Sequence, residues 1–118
     1  MSTREESDRL TLLQGTLDLL ILRTLIHGPE HGQGIARAIQ ETSQEILLVE
    51  HGALYPALQR LEERGWISAA WGVSSNNRKA RFYTLTKTGR QQLARETSRW
   101  RKLVFAIGHV LGPDGAEV

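Results

Sequence analysis

The side chains best placed to do chemistry in this sequence are cations. Arg78 and Lys79 follow Asn76-Asn77 and have no acidic neighbour. An unneutralised Arg-Lys pair in a turn suits phosphate, because each cation that meets one releases a condensed counterion. The asparagines, Asn77 included, suit the turn itself. Arg81 and Tyr83 are two apart and therefore share one face of a strand, either as a contact surface or as a plain exposed face. Upstream, Gln59 can bond an adenine edge, and Arg60 can meet a guanine or a phosphate. Each is equally well explained as a solvated helix residue. Gly52 and Pro56 shape the start of the helix that carries them, and a small residue lets the backbone approach a ligand closely.

Other chemistries find no support. There is no Cys, which excludes a disulfide scaffold, a thiol nucleophile and a thiolate metal site. His27 and His31 are four apart, but Gly28-Pro29 lies between them and breaks any helix. His51 and His109 are isolated in sequence. No nucleophile elbow and no glycine-rich phosphate loop is present. No enzyme activity, metal or cofactor is expected.

The charge distribution gives the cations a context. The 118 residues carry a net charge of +2. Residues 1–59 hold 4 basic and 8 acidic side chains, residues 60–102 hold 11 and 3, and residues 103–118 hold none and 2. A strongly basic segment inside a nearly neutral chain points to a polyanion partner, nucleic acid first, or else to a solvated Arg-rich helix face. The length suits one domain. Leu103 to Leu111 is far short of the roughly 20 residues that span a bilayer. The N-terminus is polar and mixed in charge, unlike a signal peptide, so a cytoplasmic location is expected.

Periodicity supplies the elements. Residues 1–9 read as a frayed arm. Apolar residues from Leu10 to Ile26 recur at helical spacing, with Gly15 as the expected start, Thr16 as cap and Asp18 in the first turn. His27-Gly28-Pro29 stops this helix. A second helix opens at His31-Gly32. Ile46 to Val49 suggests a short buried strand or a tight turn. A third helix is expected from Gly52 to Arg64, with Pro56 in its first turn and Leu54, Leu58 and Leu61 inward. Trp66 to Trp71 and Arg81 to Leu85 fit two strands of a hairpin around a turn over 72–79. Thr86 caps a last helix that runs to about Leu111.

The expected fold is mainly α with a small β-hairpin. Three helices followed by a hairpin is the order of a winged helix-turn-helix: the third helix enters the major groove and the wing reaches phosphates or the minor groove. Its boundaries would be 10–86, followed by a C-terminal dimerisation helix over 87–112 and a tail over 113–118.

Four stretches also resemble the PadR-like family of bacterial transcriptional regulators. They are Leu13-Gln14-Gly15-Thr16-Leu17-Asp18, His31-Gly32-Gln33-Gly34-Ile35, Gly52 to Glu62 around Leu54-Tyr55-Pro56, and Arg81 to Gly89 around Tyr83-Thr84-Leu85-Thr86. They span about residues 10–100. The resemblance implies a dimer that represses promoters, and it favours Tyr55 as a DNA contact, its ring packed on the scaffold and its hydroxyl on a phosphate, over the alternative of a plain core tyrosine. Ala53 replaces the family's usual Ser or Thr, which removes one hydroxyl from the expected contact set. Gln33 stands where the family often has Tyr.

The last helix carries Leu93, Trp100, Leu103, Val104, Ile107 and Leu111 in a long seam. A homodimer would cover it, with Leu12 and Leu19 of the first helix contributing; an intrachain contact with Leu12, Leu19 and Ile26 is the alternative. In the small subfamily with a single C-terminal helix, a cavity at the dimer centre admits flat aromatic compounds. The resemblance thus implies that Trp100 offers a stacking face to an effector, although a tryptophan in an interface is more often only packing. The leading function is a homodimeric repressor of a pseudo-palindromic double-stranded DNA operator, released by a small molecule. The alternative is a winged-helix protein-interaction module without operator binding.

Overall fold

The computed structural model of the protein describes residues 10–11 and 14–113. The expected arm, Leu12 and residues 114–118 lie outside that range. Helix α1 (Gln14–Thr24) continues into a short 3-10 turn at Leu25–His27. Leu17, Ile21, Leu22 and Leu25 recur at helical spacing and are all buried. α1 begins before Gly15, so Thr16 lies inside its first turn and does not cap it. A glycine in that turn costs only about 1 kcal/mol, far less than the burial of four aliphatic side chains returns.

Helix α2 (Gly32–Thr42) is capped by His31, whose Nδ1 accepts the Gly34 N–H at 3.1 Å. Ile35, Ala36 and Ile39 form its buried face. Helix α3 (His51–Glu63) buries Leu54, Ala57, Leu58 and Leu61, the spacing of a single inward stripe. Pro56 is the sixth residue of α3, not part of its first turn as expected from the sequence. The carbonyl that loses its partner belongs to exposed Gly52, where water can satisfy it. The inward stripe therefore sets the start of the helix one turn ahead of the proline.

Two short strands, β1 (Leu10–Thr11) and β3 (Leu47–Leu48), pair in parallel. The main sheet has three strands, one more than the expected hairpin. The two-residue strand β2 (Glu30–His31) pairs with one edge of β5 (Lys79–Leu85), and β4 (Ile67–Val73) pairs antiparallel with the other. β2 is too short to show a period of its own. The wing turn is tighter than expected, Ser74 to Arg78. At the base of the wing, Ile67 and Leu85 face each other across the ladder and are both buried, which ties the hairpin to the helical core.

Helix α4 (Lys87–Leu111) starts at Thr86, whose hydroxyl accepts the Gly89 N–H at 2.9 Å. Gly89 is packed so closely on the Trp66 carbonyl that a β-carbon would collide with it. That contact holds the first turn of α4 to the connection between α3 and β4. α1 is the centre of the molecule and packs on α2, α3 and α4. No helix among the described residues is long and apolar enough to cross a membrane.

Candidate nucleic-acid interface

The inward stripe of α3 leaves its other side bare. Gly52, Ala53, Tyr55, Pro56 and Gln59 are all exposed there. Tyr55 is 45% exposed. One side of its ring lies against the backbone of Gly32 at the start of α2, where a β-carbon would stand only 3.0 Å from the phenol oxygen. The ring also meets His51 edge-on, with ring centroids 6.1 Å apart. The ring is thus held by the scaffold while it remains open to solvent. Gln59 reaches only Glu63, at 3.5 Å. That long contact leaves its amide free to turn toward another partner. His51 is an exposed member of this surface that sequence reasoning missed, because its position in the first turn of α3 depends on where the helix begins.

Arg60 does not join that surface. Its Nη2 donates to Asp18 Oδ1 at 2.8 Å, and the carboxylate side chain is only 13% exposed. The expected DNA contact is therefore corrected to an internal ion pair between α1 and α3. The cause is position on the helix. Three residues along from Ala57, Arg60 lies at the edge of the buried stripe, where an acidic neighbour from α1 competes successfully for the guanidinium. Asp18, read from sequence as a helix-dipole partner, is that neighbour. Burial pushes its carboxyl above the usual 3.8, against the opposing pull of Arg60 and Arg64. Arg64 stands 4.0 Å from Asp18 and lies over the Trp66 ring at 5.1 Å.

The wing presents a different balance. Its turn is closed by Ser74, whose N–H donates to the Arg78 carbonyl at 2.8 Å and whose hydroxyl accepts the Arg78 N–H at 3.3 Å. Asn77 takes the left-handed φ of 61° that the turn requires, a conformation asparagine tolerates. Among the described residues, Arg78 and Lys79 have no carboxylate within ion-pair range, and both are exposed. Arg81 is half-committed: it donates to Glu62 of α3 at 2.9 Å and lies over the Tyr83 ring at 6.0 Å. Tyr83 is buried, which raises its phenol above the usual 10.0 and keeps it neutral. Between α3 and the wing lies a cleft of about 380 Å³, lined by Tyr55, Gln59, Glu62, Glu63, Arg81 and Tyr83. The exposed face of α3 and this face of the wing therefore form one continuous surface.

A second surface lies on the opposite part of the chain. α1 and α4 diverge around an open groove of about 1250 Å³, whose apolar walls include Leu19, Leu20, Ile26, Leu93, Trp100 and Val104. Leu93, expected at a subunit interface, is 5% exposed and belongs to the chain's own core. It sits where α4 still rests on α1. Beyond it α4 projects away: Trp100, Val104, Ile107 and Leu111 are all bare, with Leu103, Phe105 and Val110 beside them. The seam is thus intrachain at its start and uncovered afterwards.

Comparison with known proteins agrees with this architecture. Residues 21–95 match the Transcriptional regulator PadR-like family. A transcriptional regulator from Clostridium thermocellum superposes with a TM-score of 0.76 and is 26% identical, covering 83% of this chain and 95% of its own. A PadR family transcription regulator from Clostridium difficile gives a TM-score of 0.70 at 28% identity, covering 81% and 98%. The Negative transcriptional regulator PadR of Bacillus subtilis is 29% identical over 77 residues, 65% of this chain and 42% of its own length. This chain therefore spans under half of that relative. With a winged helix, a bare third helix and a matching family over most of its length, this chain belongs to the PadR-like family of transcriptional regulators.

Proposed function

We propose that the chain is a homodimeric repressor that binds a pseudo-palindromic operator and is released from it by a small flat aromatic molecule. The observation that carries the DNA reading is the continuity of two surfaces. α3 offers Gly52, Ala53, Tyr55, Pro56 and Gln59 on one open face, and the adjoining wing offers Asn77, Arg78, Lys79 and Arg81. In a winged helix these are the surfaces that meet the major groove and the neighbouring backbone. Gln59 is the base-reading candidate, Tyr55 and the backbone at Gly52 and Ala53 meet phosphate, and Arg78 and Lys79 supply sequence-independent affinity.

The dimer reading rests on α4. Trp100, Val104, Ile107 and Leu111 are each more than two-fifths exposed along one seam. Covering such side chains returns about 1.5–3 kcal/mol apiece. A second copy of α4, seated in the groove between α1 and α4, would cover them symmetrically. Leu19 contributes from the α1 wall. Such a dimer sets two α3 helices about one DNA turn apart, or a multiple of it.

Trp100 lines the same groove, so a planar ligand stacked on it would bear on the spacing of the two subunits. A ligand that favours a spacing unsuited to DNA shifts the population away from the operator. The negative sign of regulation is taken from the Bacillus subtilis relative, which is named for it. Gel shift with the DNA upstream of the chain's own coding sequence tests the reading. Retardation of that DNA in the presence of excess bulk DNA, relieved by a planar aromatic, is the expected result.

A further inference from the structure

We infer that Trp71, together with Val73, forms an apolar blade that enters the DNA minor groove beside the segment read by α3. This rests on the DNA-binding reading above and adds to it a contact made without charge. Trp71 is 65% exposed and Val73 66% exposed, on alternate positions of β4 and so on one face. Directly across the ladder stand Arg81 opposite Trp71 and Lys79 opposite Val73. The Lys79 ammonium lies over the indole, 5.0 Å from its centroid. Two apolar and two basic side chains therefore form a single block.

The orientation of the block identifies its occupant. On the same face, Arg81 is tied to Glu62 of α3 and covers Tyr83, so this face looks toward the recognition-helix side of the molecule. On the opposite face of the wing Phe82 meets His31 edge-on at 5.5 Å, and the exposed residues beside it, Ser68, Ala70 and Thr84, are small or polar. The large bare apolar side chains of the wing are therefore on the α3 side. A partner for it must accept apolar contact in the centre and cations at the rim. Duplex DNA does so at the minor groove, where deoxyribose walls flank a cleft roughly 6 Å wide between two phosphate rails. An indole entering edge-on fits that width, and Lys79, steadied on the ring, is carried to the rail.

The guanine 2-amino group stands on the floor of that groove, so the blade prefers A·T steps and narrow grooves. Trp71 thereby contributes preference at positions that α3 does not touch. Its contribution does not depend on counterion release, unlike that of Arg78 or Lys79.

The test uses the full chain with Trp66→Phe and Trp100→Phe, which leaves Trp71 as the sole tryptophan of the three. Fluorescein-labelled duplex from the upstream region reports binding by anisotropy, while Trp71 reports its own surroundings by emission and acrylamide quenching. At saturation, acrylamide access to Trp71 should fall severalfold, and netropsin bound beforehand should prevent the fall. In the otherwise native chain, Trp71→Ala should weaken binding by about tenfold with an unchanged salt slope, whereas Trp71→Phe should lose little. If the duplex binds while Trp71 emission and access stay unmoved, the blade is overturned and the DNA reading stands. If no duplex binds, both fall. Protection of Trp71 that appears with protein concentration alone would assign the face to a second copy and overturn the inference. Should the two phenylalanine changes prevent folding, the difference in emission between the native chain and Trp71→Phe, with and without duplex, gives the same decision.

Discussion

The Arg60 guanidinium donates to the Asp18 carboxylate at 2.8 Å and so joins α3 to the central helix α1. Because α1 also walls the groove beside α4, this bond links α3 to the element nearest the uncovered seam.

Breaking that link should cost stability before it costs DNA contact. Arg60→Ala leaves a mostly buried carboxylate with only Arg64 beside it, at 4.0 Å, and the expected loss is about 3 kcal/mol. Asp18→Ala should cost a similar amount, and the double variant less than the sum. Urea denaturation of the three variants measures this. A drop in DNA affinity by Arg60→Ala with stability unchanged would return Arg60 to the interface.

The pH dependence of the pair has an unusual sign for an ion-paired carboxylate. Burial raises the folded-state value of Asp18 above 3.8, so the folded state holds the proton more tightly than the unfolded state does. Its contribution to stability is therefore fully present below 3.8 and is lost as pH rises through the higher folded value. Asp18→Asn, which keeps an acceptor for Arg60, should be well tolerated near pH 7. The wild type should gain in melting temperature relative to Asp18→Asn as pH falls through the range just above 3.8. A difference that moves the other way would mean that the pairing with Arg60 outweighs burial.

The free cations of the wing should act through the salt dependence of binding. Arg78→Ala and Lys79→Ala should each weaken binding to all sequences alike and reduce the slope of log K against log salt by about 1. Anisotropy titrations at several salt concentrations, with two unrelated duplexes, check this. Arg81→Ala should change the slope less, because Glu62 already holds its guanidinium.

Placing a charge in the bare half of α4 should separate the subunits. Val104→Glu or Ile107→Glu puts a carboxylate where the second copy is expected, and sedimentation should then give the 13.3 kDa monomer. The native chain should give twice that mass. Leu93→Ala should behave differently: it opens a cavity in the core and costs about 2–5 kcal/mol of stability.

These variants also show what can be read from the sequence. The apolar spacing of Leu54, Leu58 and Leu61 reveals the inward face of α3, and by exclusion the outward face with Tyr55 and Gln59. Thr86 and the alternation around Phe82 reveal the start of α4 and the second wing strand. Arg60 misleads because a cation's partner is a matter of tertiary position: Asp18 is 42 residues away. β2 is invisible because two residues carry no period, and only the edge of β5 defines them as a strand. Leu93 and Val104 look alike in a heptad, yet one lies where α4 rests on α1 and the other where it has left it. Trp71 reads as an ordinary strand residue until its ladder partner Arg81, tied to Glu62, places it on the α3 side of the wing.

The open face of α3 is expected to read DNA sequence. Competition anisotropy measures it most directly: labelled upstream duplex is displaced by unlabelled upstream or bulk DNA, at moderate salt, for the native chain and for Gln59→Ala. The expected result is a preference of about 10³-fold or more for the native chain, cut by roughly tenfold in Gln59→Ala with the salt slope unchanged. Equal displacement by bulk DNA and upstream DNA would contradict sequence recognition by α3.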